Sequence, residues 1–336
     1  MSVNVQDILA AHKKVASQEA THAWVKPYEA KKDTTGLHQL VFFLKPEVTA
    51  ADKGVNVEAI VELATKILGE NGVEFGAVRV LGGEYLDKHG LMTEHYGVIS
   101  KISKEGVSAI SDTAKQVLNE KFKDLLEAGA EVLGGNQFLD RQKEFNAFSL
   151  IVLNDNLGTT RLAGGTYAMP IKVLGKPFIL LNPFHAYQLV PYTTPGNSII
   201  IFECLSKTSW ADLRQKVCGA TDPKAAEEGS IRNTLLQQKE SLGLKDVDKG
   251  TNGVHMSAGP LEGMVELQRF FADHEAGSSF GFDETCFGSL LVSKGKSVED
   301  VKALAANPDK TVGDKNVSVF DLTEEEDALV AIEKLN

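Results

Sequence analysis

Residues 38–47 read HQLVFFLKPE, an apolar run of strand length that stops abruptly at a Lys-Pro-Glu turn. The run predicts a core strand over His38–Leu44. After the turn, Val57, Ile60, Val61, Ala64, Ile67 and Leu68 recur at helical spacing, and Gly69 with Gly72 predicts the end of that helix. EFGAVRVL over residues 74–81 then predicts a second strand, so this part of the chain reads β, α, β. Upstream, residues 1–35 read as a short amphipathic stretch and a polar, Lys-rich connector (KPYEAKKDTTG), an arm leading into the first core strand.

Downstream, Val107, Ile110, Val117, Leu118, Phe122, Leu125, Leu126 and Val132 predict a long amphipathic helix or a broken pair, ended by Gly134 and Gly135. AFSLIVL near 150 and MPIKVLGKPFILL near 175 read as β-rich runs, separated by a Gly/Thr-rich turn carrying Arg161. SIIIFECL from Ser198 predicts a strong strand, and residues 210–217 a helix before a GATDP turn. Beyond about 276, FGSLLV and VSVF read as strands, SVEDVKALAAN as a helix and TEEED as an acidic end. Without repeats or a low-complexity linker, one compact body with elaborations is expected.

Composition narrows the function classes. A net charge of −11 argues against non-specific nucleic-acid binding, which needs a positive field to displace counterions from phosphates. Cys204, Cys218 and Cys286 show no metal-ligand spacing, so reduced thiols in a cytoplasmic setting are expected. No apolar run approaches the ~20 residues that span a bilayer, and the N-terminus lacks the pattern of a secretory signal. GxxxxGK[ST], GxGxxG and HExxH are missing, which removes the commonest nucleotide and zinc signatures.

A different constellation emerges from short segments taken in order. Lys45-Pro46-Glu47 follows the first strand; residues 91–96 read LMTEHY; residues 182–192 read NPFHAYQLVPY. GATDP at 219–223 and Gly229-Ser230-Ile231-Arg232 come next, and residues 252–257 read NGVHMS, with Glu266 on the following helix. Together, in this order, they resemble the motifs of nucleoside diphosphate kinases. The resemblance covers about 36–100 and 181–272 and implies an α/β (α+β) fold, with a ferredoxin-like βαββαβ antiparallel sheet and flanking helices enlarged by an inserted α/β segment. The implied organisation is an arm at 1–35, a core at 36–100 and 181–275, an insertion at 101–180 and an extension at 276–336.

The residue types suit phosphoryl transfer, which needs fixed positive charge around phosphates and a nucleophile. A neutral imidazole can be that nucleophile and form a covalent phosphoimidazole. By resemblance, His255 is the nucleophile, Glu266 accepts a hydrogen bond from its other ring nitrogen, and Ser257 supports the pair. Lys45, Thr221 and Arg232 match phosphate contacts, and Asn252 with Lys45 matches ribose contacts. Phe184 matches the aromatic that stacks on the base, with Leu189 on the same side, and Tyr96 matches a tyrosine near the phosphates. Mg²⁺ is implied as an ion bridging phosphate oxygens, with no protein metal site. His95, His185 and His274 read as structural.

Departures from the family pattern are specific. An expected arginine falls on Gln215, flanked by Arg214 and Lys216, which a one-residue shift would bring into its place. Met256 and Ala258 replace a glycine and an acidic residue, and the stretch QQKESLGLKDVDKGT is longer than the family interval. The function implied is ping-pong transfer of the γ-phosphoryl group from ATP or another nucleoside triphosphate to a nucleoside diphosphate, by a cytoplasmic homo-oligomer with no membrane or specific nucleic-acid partner. The alternative is a catalytically weakened nucleotide-binding regulatory or scaffold protein on the same fold. A third reading keeps the phosphohistidine and sends the group to a protein or another non-nucleotide acceptor.

Overall fold

A computed structural model of the chain describes residues 3–31, 36–313 and 315–336, without the side chain of residue 315. Residues 1–2 and 32–35 of the expected arm lie outside the described residues. The strands in chain order are β1 His22–Lys26, β2 His38–Leu44, β3 Val73–Gly82, β4 Glu131–Gly134, β5 Thr160–Ala163, β6 Thr166–Val173, β7 Lys176–Leu181, β8 Ser198–Ser206, β9 Val254–Met256, β10 Asp309–Val312 and β11 Lys315–Ser318. Where a single body was expected, the chain forms two compact units, Met1–His89 with Thr194–Asn336, and Gly90–Thr193. The class is mixed α/β with largely antiparallel sheets.

The first unit is built on a sheet of order β1-β3-β8-β2-β9 in which every neighbouring pair is antiparallel. β2 lies between β8 and β9 and is buried along its whole length. That is why its sequence is apolar at successive rather than alternate positions. One face carries Leu40, Phe42 and Leu44 against Ile60, Val61 and Leu68 of the helix Val57–Glu70. Asn56 caps that helix by accepting the Ala59 N–H, and the chain leaves it through Gly72 at φ 76°.

The opposite face carries Phe43 and His255, which are cross-strand partners, and lies against the helix Pro260–Phe271. Gly263 lets that helix approach closely, because a Cβ there would sit 3.1 Å from the Gln39 carbonyl and 3.3 Å from the Trp210 ring. Leu261 and Met264 on the far side of the helix pack against Phe287, Leu291, Val301 and Ile332, so the C-terminal residues add a third layer.

Several expectations change here. The N-terminal stretch is more than an arm: the helix Val5–Ala16 buries Ile8 and Val15, and β1 forms the sheet edge beside β3. FGSLLV lies in a helix, Cys286–Ser293, whose first turn is capped by Thr285 accepting the Gly288 N–H. VSVF divides between β11 and the helix Val319–Thr323, and the chain closes on a helix, Ala328–Leu335.

The second unit has a sheet of order β4-β7-β6-β5, with β4 parallel to β7 and the other pairs antiparallel. MPIKVLGKPFILL forms the β6–β7 hairpin, whose turn residues Leu174 and Gly175 both have positive φ, 48° and 84°. Of the two expected forms, a long helix or a broken pair, the run is broken, into Gly106–Ala109, Asp112–Lys121 and Lys123–Glu127, and Val132 at its end belongs to β4. AFSLIVL is helical rather than extended, within Ala147–Leu157. Asn146 and Ser149 form a reciprocal capping box there, and only Leu150 of the run is buried. No described helix is long and apolar enough to cross a membrane.

Candidate active site

His255 sits in the middle of the short strand β9, its side chain 18% exposed. Its Nε2 lies 2.8 Å from Oε1 of Glu266, a residue with no exposed surface. The Ser257 hydroxyl donates to the other carboxylate oxygen of Glu266 at 2.5 Å and accepts the Val41 N–H at 2.9 Å. The buried carboxylate is thereby supplied with donors on both oxygens, the condition under which a buried charge is tolerated. With Nε2–H donating to Glu266, the neutral ring carries its lone pair on Nδ1.

Phe43 fixes the plane of the imidazole. The two rings are stacked with centroids 4.6 Å apart and 24° between planes, and Phe270 meets Phe43 edge-on at 5.7 Å. Glu262, Glu266 and Phe270 follow at four-residue spacing on the helix Pro260–Phe271 and so share one face. Glu262 accepts the Ala258 N–H at 2.6 Å. Burial and then the neighbouring Glu266 carboxylate push its carboxyl up to about 8.

The free edge of β9 is held by two guanidiniums. Arg232 donates to the Val254 carbonyl at 3.0 Å and Arg214 to the Met256 carbonyl at 3.2 Å, on either side of His255. Arg214 stands in a π-helical turn, Leu213–Cys218, in which the Gly219 N–H donates to the Arg214 carbonyl five residues back. A π turn carries one residue more than an α turn. Arg214 and Gln215 both line a cleft of about 440 Å³, together with Gly219, Thr221, Glu227, Arg232 and Glu325. Lys216 is not among its lining residues; it is exposed and pairs with Asp212 at 2.7 Å.

The turn at 219–221 is tied down by its neighbours. Arg232 donates to the Gly219 carbonyl at 2.7 Å, and Asn252 to the Thr221 carbonyl at 3.1 Å. Asn252 also accepts from Lys45 Nζ at 2.7 Å, while Glu47 accepts the Gly253 N–H at 3.0 Å. Lys45, Asn252, Thr221 and Arg232 are thus brought together with the strand that carries His255. Burial lowers the pKa of Lys45; Glu47 opposes the shift and Arg232 adds to it. Arg232 Nε is buried with no hydrogen-bond partner among the described residues.

Tyr96, Phe184 and Leu189 belong to the second unit. Tyr96 follows the helix Leu91–His95, and its hydroxyl is 3.4 Å from that of Tyr192. Phe184 is half-buried and meets Tyr167 edge-on at 5.7 Å; the Leu189 carbonyl accepts the Tyr192 N–H at 3.0 Å. His185 is buried against Gln188, and His274 Nε2 contacts the Arg269 carbonyl at 2.9 Å.

Three participants lie outside the sequence motifs. Phe43 beneath His255 depends on the register of β2 against β9. Glu324 and Glu325 reach Arg214 at 3.0 and 3.4 Å from the far end of the chain. The only signal for the last two was an acidic stretch, TEEED, with nothing to say where it would fold.

No family model and no curated protein matches this sequence. Among solved structures, one described as an NDP kinase from Pyrobaculum aerophilum aligns with 71% of this chain and 98% of its own length, at 16% identity and a TM-score of 0.31.

Proposed function

We propose that the chain is a nucleoside diphosphate kinase-like phosphotransferase, carrying the γ-phosphoryl group of a nucleoside triphosphate to a nucleoside diphosphate through a phosphohistidine at His255. The observation that carries this reading is the His255–Glu266 pair. A partly exposed imidazole is held by a buried carboxylate through Nε2, so its basic nitrogen is Nδ1. Nδ1 attacks the γ-phosphorus and forms an N–P bond. The bond from phosphorus to the β,γ-bridging oxygen breaks, and its electron pair leaves with the diphosphate. In the second half the terminal oxygen of an acceptor diphosphate attacks phosphorus, and the N–P pair returns to Nδ1. Throughout, Glu266 stabilises positive charge on the ring, and Ser257 keeps that carboxylate aimed.

Arg214, Arg232, Thr221 and Lys45 supply the donors that such phosphates need. Mg²⁺ would arrive on the phosphates and would neutralise charge on the transferring group; Glu227 is a hard oxygen donor lining the cleft. The order β3-β8-β2-β9, with the helix Val57–Glu70 between β2 and β3, supports the ferredoxin-like reading, to which β1 adds an edge. The proposed insertion, 101–180, lies within the unit Gly90–Thr193. A regulatory, non-catalytic reading is favoured by one observation, the engagement of Arg214 by two carboxylates beside Gln215. Steady-state transfer from ATP to GDP separates them. His255→Ala should abolish turnover while ADP binding persists; turnover retained in that variant removes the nucleophile.

A further inference from the structure

We propose that residues 323–327 are a built-in competitor for the phosphate cleft, with the carboxylates of Glu325 and Glu324 holding Arg214 until a polyphosphate ligand displaces them. This deepens, and rests on, the reading of that cleft as the phosphate site of His255-mediated transfer. Glu325 lines the cleft itself. It engages Arg214 Nε at 3.4 Å and Gln215 Nε2 at 2.6 Å, while Glu324 takes Arg214 Nη2 at 3.0 Å. Paired carboxylates on a guanidinium occupy the same donors that phosphate oxygens would use.

The segment is built like a strap with fixed ends. Thr323, fully buried, closes the helix Val319–Thr323 through its hydroxyl bond to the Val319 carbonyl. At the other end Asp327 accepts the Trp210 N–H at 3.0 Å and pairs with His38 at 3.2 Å. Between them Glu325 adopts φ 58°, a left-handed conformation unfavourable for a glutamate, and is tied through its N–H to the Ala258 carbonyl at 2.8 Å. The two carboxylates remain 31% and 46% exposed, so water competes for them and their hold on Arg214 is weak enough for exchange. Glu324 and Glu325 can therefore leave Arg214 without undoing either anchor.

The competition selects by charge. A di- or triphosphate brings enough negative charge to take Arg214 from the strap, whereas a monophosphate gains less from the same exchange. Gly259 offers a way to move the strap without altering charge: at φ −167° any residue fits the backbone, but a Cβ there would run into the Thr323 carbonyl.

The test is calorimetric titration of the full-length chain with ADP and with AMP, comparing wild type, Glu325→Gln, Glu324→Gln/Glu325→Gln and Gly259→Ala. Freeing Arg214 from partly exposed ion pairs should tighten ADP binding by about three- to thirtyfold and AMP binding by less. Unchanged or weaker ADP affinity in a folded double variant would overturn the proposal. Hydrogen exchange on the wild type needs no variant: as the middle of the strap moves, saturating tripolyphosphate should speed exchange at 324–326, where the Glu325 N–H meets the Ala258 carbonyl, and unchanged exchange there at saturation overturns it equally. Phosphohistidine formed by a wild type whose ADP affinity matches the double variant's would sink the strap alone. Failure of both proteins to bind ADP would sink the strap and the cleft reading together.

Discussion

Glu266, with no exposed surface, holds Nε2 of His255 at 2.8 Å, and with Nε2–H donating there the basic ring nitrogen is Nδ1. A glutamine at 266 keeps the shape but loses the charge that stabilises a protonated or phosphorylated ring. Glu266→Gln should therefore lower phosphoryl transfer on the order of 100-fold, with smaller change in nucleotide affinity. Steady-state kinetics with ATP and GDP reads this directly; equal loss in kcat and in ADP binding would point to a structural role instead.

Phe43 lies between His255 and Phe270 in a fully buried position. Phe43→Ala removes the platform under the imidazole and leaves a void in the middle of the sheet. The expected cost is about 3–5 kcal/mol of stability. Urea denaturation measures it, and a loss below about 1 kcal/mol would show that the site collapses to refill the space.

Glu262 gives a stability signature that depends on pH. Its carboxyl is raised from 4.5 to about 8 in the folded chain, so the native state holds the proton more tightly than the unfolded one. The stabilisation from that proton is complete below pH 4.5 and is lost as pH rises through about 8. Glu262→Gln keeps an acceptor for the Ala258 N–H and removes the titration. Its Tm relative to wild type should rise between pH 5 and pH 9, reaching about 2 °C or more at the upper end. A difference independent of pH would contradict the assignment.

Asn252 joins Lys45 to the turn at 219–221 by accepting from Nζ and donating to the Thr221 carbonyl. Asn252→Ala releases both sides. Losing one charge-assisted bond of this kind should weaken ADP binding about tenfold. Titration of the folded variant with ADP checks it; unchanged affinity would place the nucleotide elsewhere.

What the sequence revealed follows from the range of the interactions. β2 and the helix Val57–Glu70 were legible because an unbroken apolar run and a 3.6-residue period are local signals. The same apolar richness misled at residues 147–157 and 286–293. A short run without periodicity is as compatible with a helix as with a strand, and the capping residues Asn146 and Thr285 decide for helix. β1 was read as part of an arm because a short edge strand earns its place by pairing with β3, a partner remote in sequence. Among the candidate site residues, motif order named His255, Ser257, Glu266, Lys45, Asn252, Thr221 and Arg232, which hydrogen bonds link around β9. Phe43 beneath the ring required the β2–β9 register, and Glu325 on Arg214 required the path of the whole C-terminal layer.

The most direct test of the central claim is incubation of the full chain with γ-labelled ATP and Mg²⁺, followed by peptide mapping and a chase with GDP. One label is expected, acid-labile and base-stable, on the peptide containing His255, absent from His255→Ala and released by the chase as GTP. Label elsewhere, or none while ATP binds, would contradict it.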